Sequence, residues 1–184
     1  RQRQMCIRDR YYKYNIEAKI TNYLHKNDLP ADVEFDGAIA IDTETMGLEP
    51  FRDRLCVVQL SDGKGDAHLV KFDANNDYKS PNLKKLLSDD NRIKIMHYAR
   101  FDMAIIKYYL NIEMHNIYCT KIASKLCRTY TDHHGLKELC SELVNISISK
   151  TQQSSNWGAD DLTAAQIKLS LIHISEPPRP RLSS

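Results

Sequence analysis

Short apolar runs alternate with leucine-spaced amphipathic stretches along most of this chain, and each predicts an element. Gly37-Ala-Ile-Ala-Ile-Asp42 is β-prone and opens on glycine, as expected of a central strand covered on both faces. Leu55 to Leu60 and Ala67 to Phe72 give two more strands, with Asp62 to Gly65 between them as a hairpin-type loop. Ser80-Pro81 opens a helix with proline in its first turn, and Leu83, Leu86 and Leu87 form its apolar stripe. Ile93 to Met96 reads as a fourth strand. Phe101 to Leu110 is helical, burying Ile105, Ile106 and either Tyr109 or Leu110. Asn116 to Cys119 is a short strand, and Thr120 is placed to cap a helix from Lys121 to Leu126. After Gly135, the residues Leu136, Leu139, Cys140 and Leu143 recur at helical spacing. A polar stretch from Ser149 to Asn156 then leads to Trp157, and Asp161 to Lys168 starts a last helix. A strand meander followed by alternating helices and strands predicts an α/β domain built on a mixed β-sheet flanked by α-helices.

The two ends break this pattern. Residues 1–10 have neither helical nor strand periodicity, and the prolines of residues 176–180 stop regular structure. Both tails resemble translated sequencing-adapter read-through. The organisation expected is therefore a disordered tail over 1–10, one domain over 11–168 whose last helix is incomplete, and a non-native tail over 169–184.

Composition narrows the class. With 184 residues, 42% of them hydrophobic, there is material for one packed core and hardly for two. No apolar run approaches the roughly 20 residues of a membrane helix, so no membrane partner is expected. Five widely spaced cysteines without a C-x-x-C or a signal peptide argue for reduced thiols in a cytoplasmic protein. The net charge of +2 sits in the tails, since residues 11–168 alone carry −2. Any contact with a polyanion must then be local.

Two acidic clusters end strands. Asp42 and Glu44 are two residues apart, which puts both carboxylates on one side of the sheet edge, where paired acids can hold a hard cation. The same spacing in Asp32-Val-Glu34 follows a proline with no strand to place it. His97-Tyr-Ala-Arg-Phe-Asp102 follows the fourth strand directly, at a strand-to-helix turn of the kind where α/β folds place ligand-binding groups. Taken alone, Asp102 also reads as an ordinary acid in a helical first turn.

Together these residues resemble the ribonuclease D-like 3′ to 5′ exonucleases of the DEDD superfamily, which have a ribonuclease H-like fold. The first family motif, D-x-E followed by G-L, is matched by Asp42-Thr-Glu-Thr-Met-Gly-Leu48. The second, H-N-x-x-F-D, is matched by His97 to Asp102 with Tyr98 in place of asparagine. Leu55 to Leu60, Cys119 to Ser124, Gly135 to Leu139 and Lys150 to Gln166 are also similar to the family, so the resemblance spans roughly residues 20–168. The third motif, Y-x-x-x-D, is absent: Leu169 stands at the tyrosine position and His173 at the aspartate position. Truncation accounts for that loss better than adaptation.

The resemblance implies hydrolysis of phosphodiester bonds at the 3′ end of RNA, of the transfer RNA processing type, with two divalent ions (Mg²⁺ or Mn²⁺) as cofactors. Such ions activate a water and stabilise the leaving oxygen. It gives Asp42, Glu44 and Asp102 catalytic, metal-holding roles: Asp42 bridging, Glu44 on the nucleophile side and Asp102 on the leaving-group side. It also gives Met46, Leu48, His97 and Phe101 contacts with the terminal nucleotides of a single strand. Ordinary core packing is the other reading of Met46, Leu48 and Phe101. Lys150, Gln153 and Trp157 are groove candidates, Trp157 equally a core anchor. Arg100, Lys121 and Arg128 are phosphate contacts or plain solvated charges. His133-His134 has no ligand spacing. No obligate protein partner is evident. Two alternatives remain open: a DNA-directed exonuclease, and a nucleic-acid-binding module with impaired catalysis, the state expected of a chain lacking the fourth acid.

Overall fold

The computed structural model describes residues 21–148, 155–164 and 166–167. Among these, six strands form one mixed sheet: β1 (Thr21–Lys26), β2 (Ile39–Thr45), β3 (Leu55–Ser61), β4 (Asp66–Lys71), β5 (Lys94–Met96) and β6 (Ile117–Cys119). Their order across the sheet is β1-β4-β3-β2-β5-β6. β2, β3 and β4 are the antiparallel meander expected, turning at Gly63 and Gly65, both at positive φ. β5 and β6 add parallel to β2, and β1 adds parallel to β4. Four helices flank the sheet within the described residues: α1 (Pro81–Leu87), α2 (Arg100–Leu110), α3 (Thr120–Cys127) and α4 (Leu136–Val144), and the start of another follows at 164.

The core forms where the sheet is covered. All seven residues of β3 are buried, as their apolar run predicts for a central strand. Ile39, Ile41, Leu60, Leu83, Leu87, Ile105, Ile106 and Leu110 pack with Phe72 and Met96 into the main cluster. Leu110, rather than the half-buried Tyr109, takes the last buried position of α2. A smaller cluster of Cys56, Val57, Leu69 and Trp157 closes the other side, so Trp157 is a core anchor and not a groove wall.

Several expectations change. β1 had no apolar run to announce it, because five of its six residues are exposed at the sheet margin. β5 is inverted: Lys94 is fully buried while Ile93 is 46% exposed. The Lys94 ammonium donates to the carbonyls of Asp89 and His115, the latter at 3.2 Å, which compensates its burial. Thr120 is the first residue of α3 rather than its cap, the cap position falling to Cys119. Leu143 of α4 is 53% exposed, so only Leu139 of that stripe is buried. The last helix starts at 164, later than Asp161, because Thr163 and Gln166 form a reciprocal capping box with bonds of 2.8 and 3.2 Å. α1 borrows its cap from a distant loop: the Asp28 carboxylate accepts the Asn82 and Leu83 amides at 3.1 and 2.9 Å.

Asp32 and Glu34 lie in a loop, without a strand beneath them. Cys56, Cys119, Cys127 and Cys140 are free thiols. No described helix is long and apolar enough to cross a membrane. Both tails, Lys150, Gln153, Leu169 and His173 lie outside the described residues.

Candidate active site

Because β2, β5 and β6 are parallel, their C-terminal ends share one edge of the sheet. The end of β2 carries Asp42 and Glu44, the end of β5 runs into His97 and Tyr98, and the end of β6 runs into Thr120 and Lys121. α2 starts directly from the β5 turn and presents Asp102 in its first turn, 4% exposed. The three acids named from the sequence thus meet at one edge.

Asp102 is fixed to β2 by Thr43. The Thr43 amide and hydroxyl both donate to Asp102 Oδ1, at 3.1 and 2.6 Å. Both bonds leave Oδ2 outside the pair. Burial first, then the charge of Asp42, pushes the Asp102 carboxyl up to about 8. Glu44 is pushed up to about 9 by burial and by Asp42, against the opposing Gln59 amide, whose Nε2 donates to Glu44 Oε1 at 3.3 Å. Gln59 is fully buried and stands directly across from Asp42 in the β2/β3 pairing. Its other amide atom, Oε1, is buried without a hydrogen-bond partner among the described residues. On packing alone an apolar side chain would suit β3 better, and the bond to Glu44 is what offsets part of the cost of burying the Gln59 amide.

The donor chemistry fits a hard divalent cation. Every candidate ligand is a carboxylate oxygen, and burial first, then the charge of Asp42, keeps Glu44 and Asp102 protonated near neutral pH, a deficit of positive charge that a dication would supply. The fit is incomplete: among the described residues no three His, Cys, Asp or Glu side chains converge as a ready-made ligand set.

The residues expected to contact substrate surround this edge. His97 Nδ1 lies 2.9 Å from Thr120 Oγ1, and that hydroxyl donates to the Met96 carbonyl at 3.2 Å. Phe101 is half-buried against the main core. Met46 and Leu48 are 52% and 81% exposed, which excludes core packing for both. Met46 lies against Gly158, where any Cβ would collide with its sulfur. The loop bearing them is tied by the Met46 amide to the Arg54 carbonyl at 3.1 Å and by Asp53, which accepts the Glu49 amide at 3.0 Å. The Arg52 guanidinium beside Asp53 holds its carboxyl well below the usual carboxylate range. Arg128 is buried and paired with Glu142, bracing α3 against α4 rather than facing a phosphate.

Tyr98 has φ 62°, in the left-handed region that costs a bulky residue about 1–3 kcal/mol. Its ring is half exposed, and the Lys121 ammonium lies 4.3 Å from the ring centroid. Sequence reasoning singled out neither Thr43 nor Gln59, whose signals exist only in strand pairing and in the approach of α2.

The mixed six-stranded sheet with its flanking helices is the ribonuclease H-like fold, the fold of the nucleases it resembles in structure. A 3′-5′ exonuclease family model matches residues 17–169, and the chain belongs to that family. Brucella melitensis NrnC bound to pGG is similar at 50% identity with a TM-score of 0.80, over 85% of this chain and 76% of that one. Ribonuclease D of Gluconacetobacter diazotrophicus is 30% identical over 70% of this chain, and DNA polymerase I of Aquifex aeolicus is 31% identical over the same share. The chain spans 32% of that ribonuclease D and 20% of that polymerase. Escherichia coli RNase D, at 22% identity and a TM-score of 0.65 over 75% of this chain and 36% of that one, shares the fold.

Proposed function

We propose that this chain is the catalytic domain of a divalent-metal-dependent 3′ to 5′ exonuclease that shortens single-stranded nucleic acid, RNA before DNA, in the cytoplasm. The observation that carries the reading is the meeting of Asp42, Glu44 and Asp102 at the shared end of β2 and the start of α2. Asp42, Glu44 and Asp102 would hold the two ions; when bound, these activate a water and neutralise charge on the leaving oxygen. The chain's own residues do the rest. Thr43 holds Asp102 in place, Gln59 holds Glu44, and Thr120 holds the His97 ring through Nδ1. Met46 and Leu48 offer exposed apolar surface against the terminal bases, and Phe101 lines the edge beside Asp102.

Similarity to ribonuclease D relatives supports RNA, with transfer RNA 3′ ends as the substrate type, and the likeness to NrnC bound to pGG supports a nucleic-acid ligand at this edge. The test uses 5′-labelled single-stranded RNA and DNA with Mn²⁺, on this chain and on a version whose residues from Leu169 onward are replaced by a Y-A-A-x-D helix. A ladder shortening from the 3′ end and abolished by Asp42→Ala is expected in the repaired chain. Binding without cleavage by both chains would overturn the enzyme reading in favour of a binding module, and preferred cleavage of DNA would overturn the choice of sugar.

A further inference from the structure

We propose that Tyr98 and Lys121 form a nucleotide subsite on the rim of the carboxylate cluster, the Tyr98 ring stacking on a base and the Lys121 ammonium meeting the adjoining phosphate. This subsite rests on the nucleic-acid reading above and adds to it the residues that grip the strand.

The first observation is backbone geometry. The turn from β5 into α2 needs a left-handed residue at position 98, where the Tyr98 carbonyl accepts the Phe101 amide at 3.2 Å. Asparagine, the residue of the family pattern, tolerates that conformation through its short polar side chain, whereas tyrosine does not. The ring is not compensated by burial, since it is 51% exposed and belongs to neither core cluster. A strained backbone under an exposed aromatic side chain, next to a catalytic edge, is the arrangement of a binding group.

The second observation is position. Thr120 bonds His97, and the next residue on each side, Lys121 and Tyr98, forms a second rung of the same ladder between the β6 and β5 ends. Both rungs stand at the C-terminal ends of parallel strands beside the β2 end that carries Asp42 and Glu44. The pair therefore flanks the edge at which a strand's 3′ end would meet those carboxylates.

The third is chemistry. An exposed ring stacks on any base without reading sequence. Lys121 lies over the Tyr98 ring by cation–π attraction in the free protein. As a flexible point charge it transfers to a phosphate when a base takes the ring face. The ligand class is therefore the base and phosphate of single-stranded nucleic acid, without base preference.

The experiment uses the full chain with EDTA, so that binding is read without metal or cleavage. The probe is a short RNA ending in 2-aminopurine, whose fluorescence is quenched by stacking, beside the same strand with an abasic terminus. Wild type and Tyr98→Phe are expected to quench alike. Tyr98→Asn should weaken binding of the base-bearing strand by about ten-fold, leave the abasic strand unaffected, and raise the melting temperature by relieving the left-handed strain. Lys121→Met should lower the slope of log affinity against log salt by about 0.7. Equal binding and quenching by Tyr98→Asn would overturn the subsite while the nucleic-acid reading stands. Equal losses on both strands would also overturn it, as a merely structural effect. Failure of wild type to bind either strand both in EDTA and with Ca²⁺ added would overturn both readings together.

Discussion

Thr43 donates twice to a single oxygen of Asp102, from its amide and from its hydroxyl, and thereby joins the second strand of the sheet to the second helix at the point where the acids meet. Thr43→Val keeps the shape and the amide bond but removes the hydroxyl bond. Loss of one buried bond of this kind should lower unfolding free energy by about 1 kcal/mol. Urea unfolding checks it, and a variant as stable as wild type would show that the amide bond alone holds Asp102.

The pH dependence of the metal-free fold follows from Glu44 and Asp102. Both carboxyls are raised above their ordinary values, to about 9 and about 8, so between the ordinary carboxylate range and those values the folded state holds more protons than the unfolded one. Their contribution to stability is complete below the ordinary carboxylate values and is lost as pH rises through 8 and 9. Melting temperature in EDTA should fall from pH 6 toward pH 9, and added Mg²⁺ should raise it more at the alkaline end, where no protons need be displaced. A metal effect larger at pH 6 would contradict these assignments.

Gln59 separates packing from positioning. Gln59→Met removes the Nε2 bond to Glu44 but also removes the buried, unpartnered Oε1. The two effects oppose each other, so metal-free stability should stay within about 0.5 kcal/mol of wild type, while Mn²⁺ affinity measured by electron paramagnetic resonance falls. Unchanged Mn²⁺ affinity would make Gln59 a bystander.

Lys94 is a structural ammonium. Its donations to the Asp89 and His115 carbonyls join the loops before β5 and β6. Lys94→Met leaves both carbonyls without this donor and should destabilise the fold by about 2 kcal/mol, read by denaturant titration. A gain in stability would show that burying the charge costs more than its bonds return.

Where burial and pattern agree, the fold was legible. β3 is buried throughout and reads as one apolar run, and the period-2 placement of Asp42 and Glu44 survives in β2. β1 was not legible, because a mostly exposed marginal strand carries no apolar signature. Ile93 and Lys94 misled for a related reason, since partners distant in sequence make it possible to bury a lysine. Spacing placed Asp42 beside Glu44, and family resemblance singled out Asp102 and His97, whereas Thr43 and Gln59 acquire their contacts only when α2 and β3 close on β2. The exposure of Leu48 removes core packing as its reading, and the burial of Trp157 makes that residue a core anchor.

The pairing of β1 with β4 sets an order of assembly. β1 comes first in the described chain, yet its sheet partner among the described residues is a strand ending at Lys71, with β2 and β3 intervening in sequence. The hairpins of the meander close over short spans, while β1 must hold its ends apart until that surface exists. Emerging from a ribosome, this segment waits unpaired for some fifty residues to follow, about the synthesis time of several seconds at ordinary elongation rates. The same geometry makes it the first strand to peel away, so its amides should exchange with solvent ahead of those of β2 and β3.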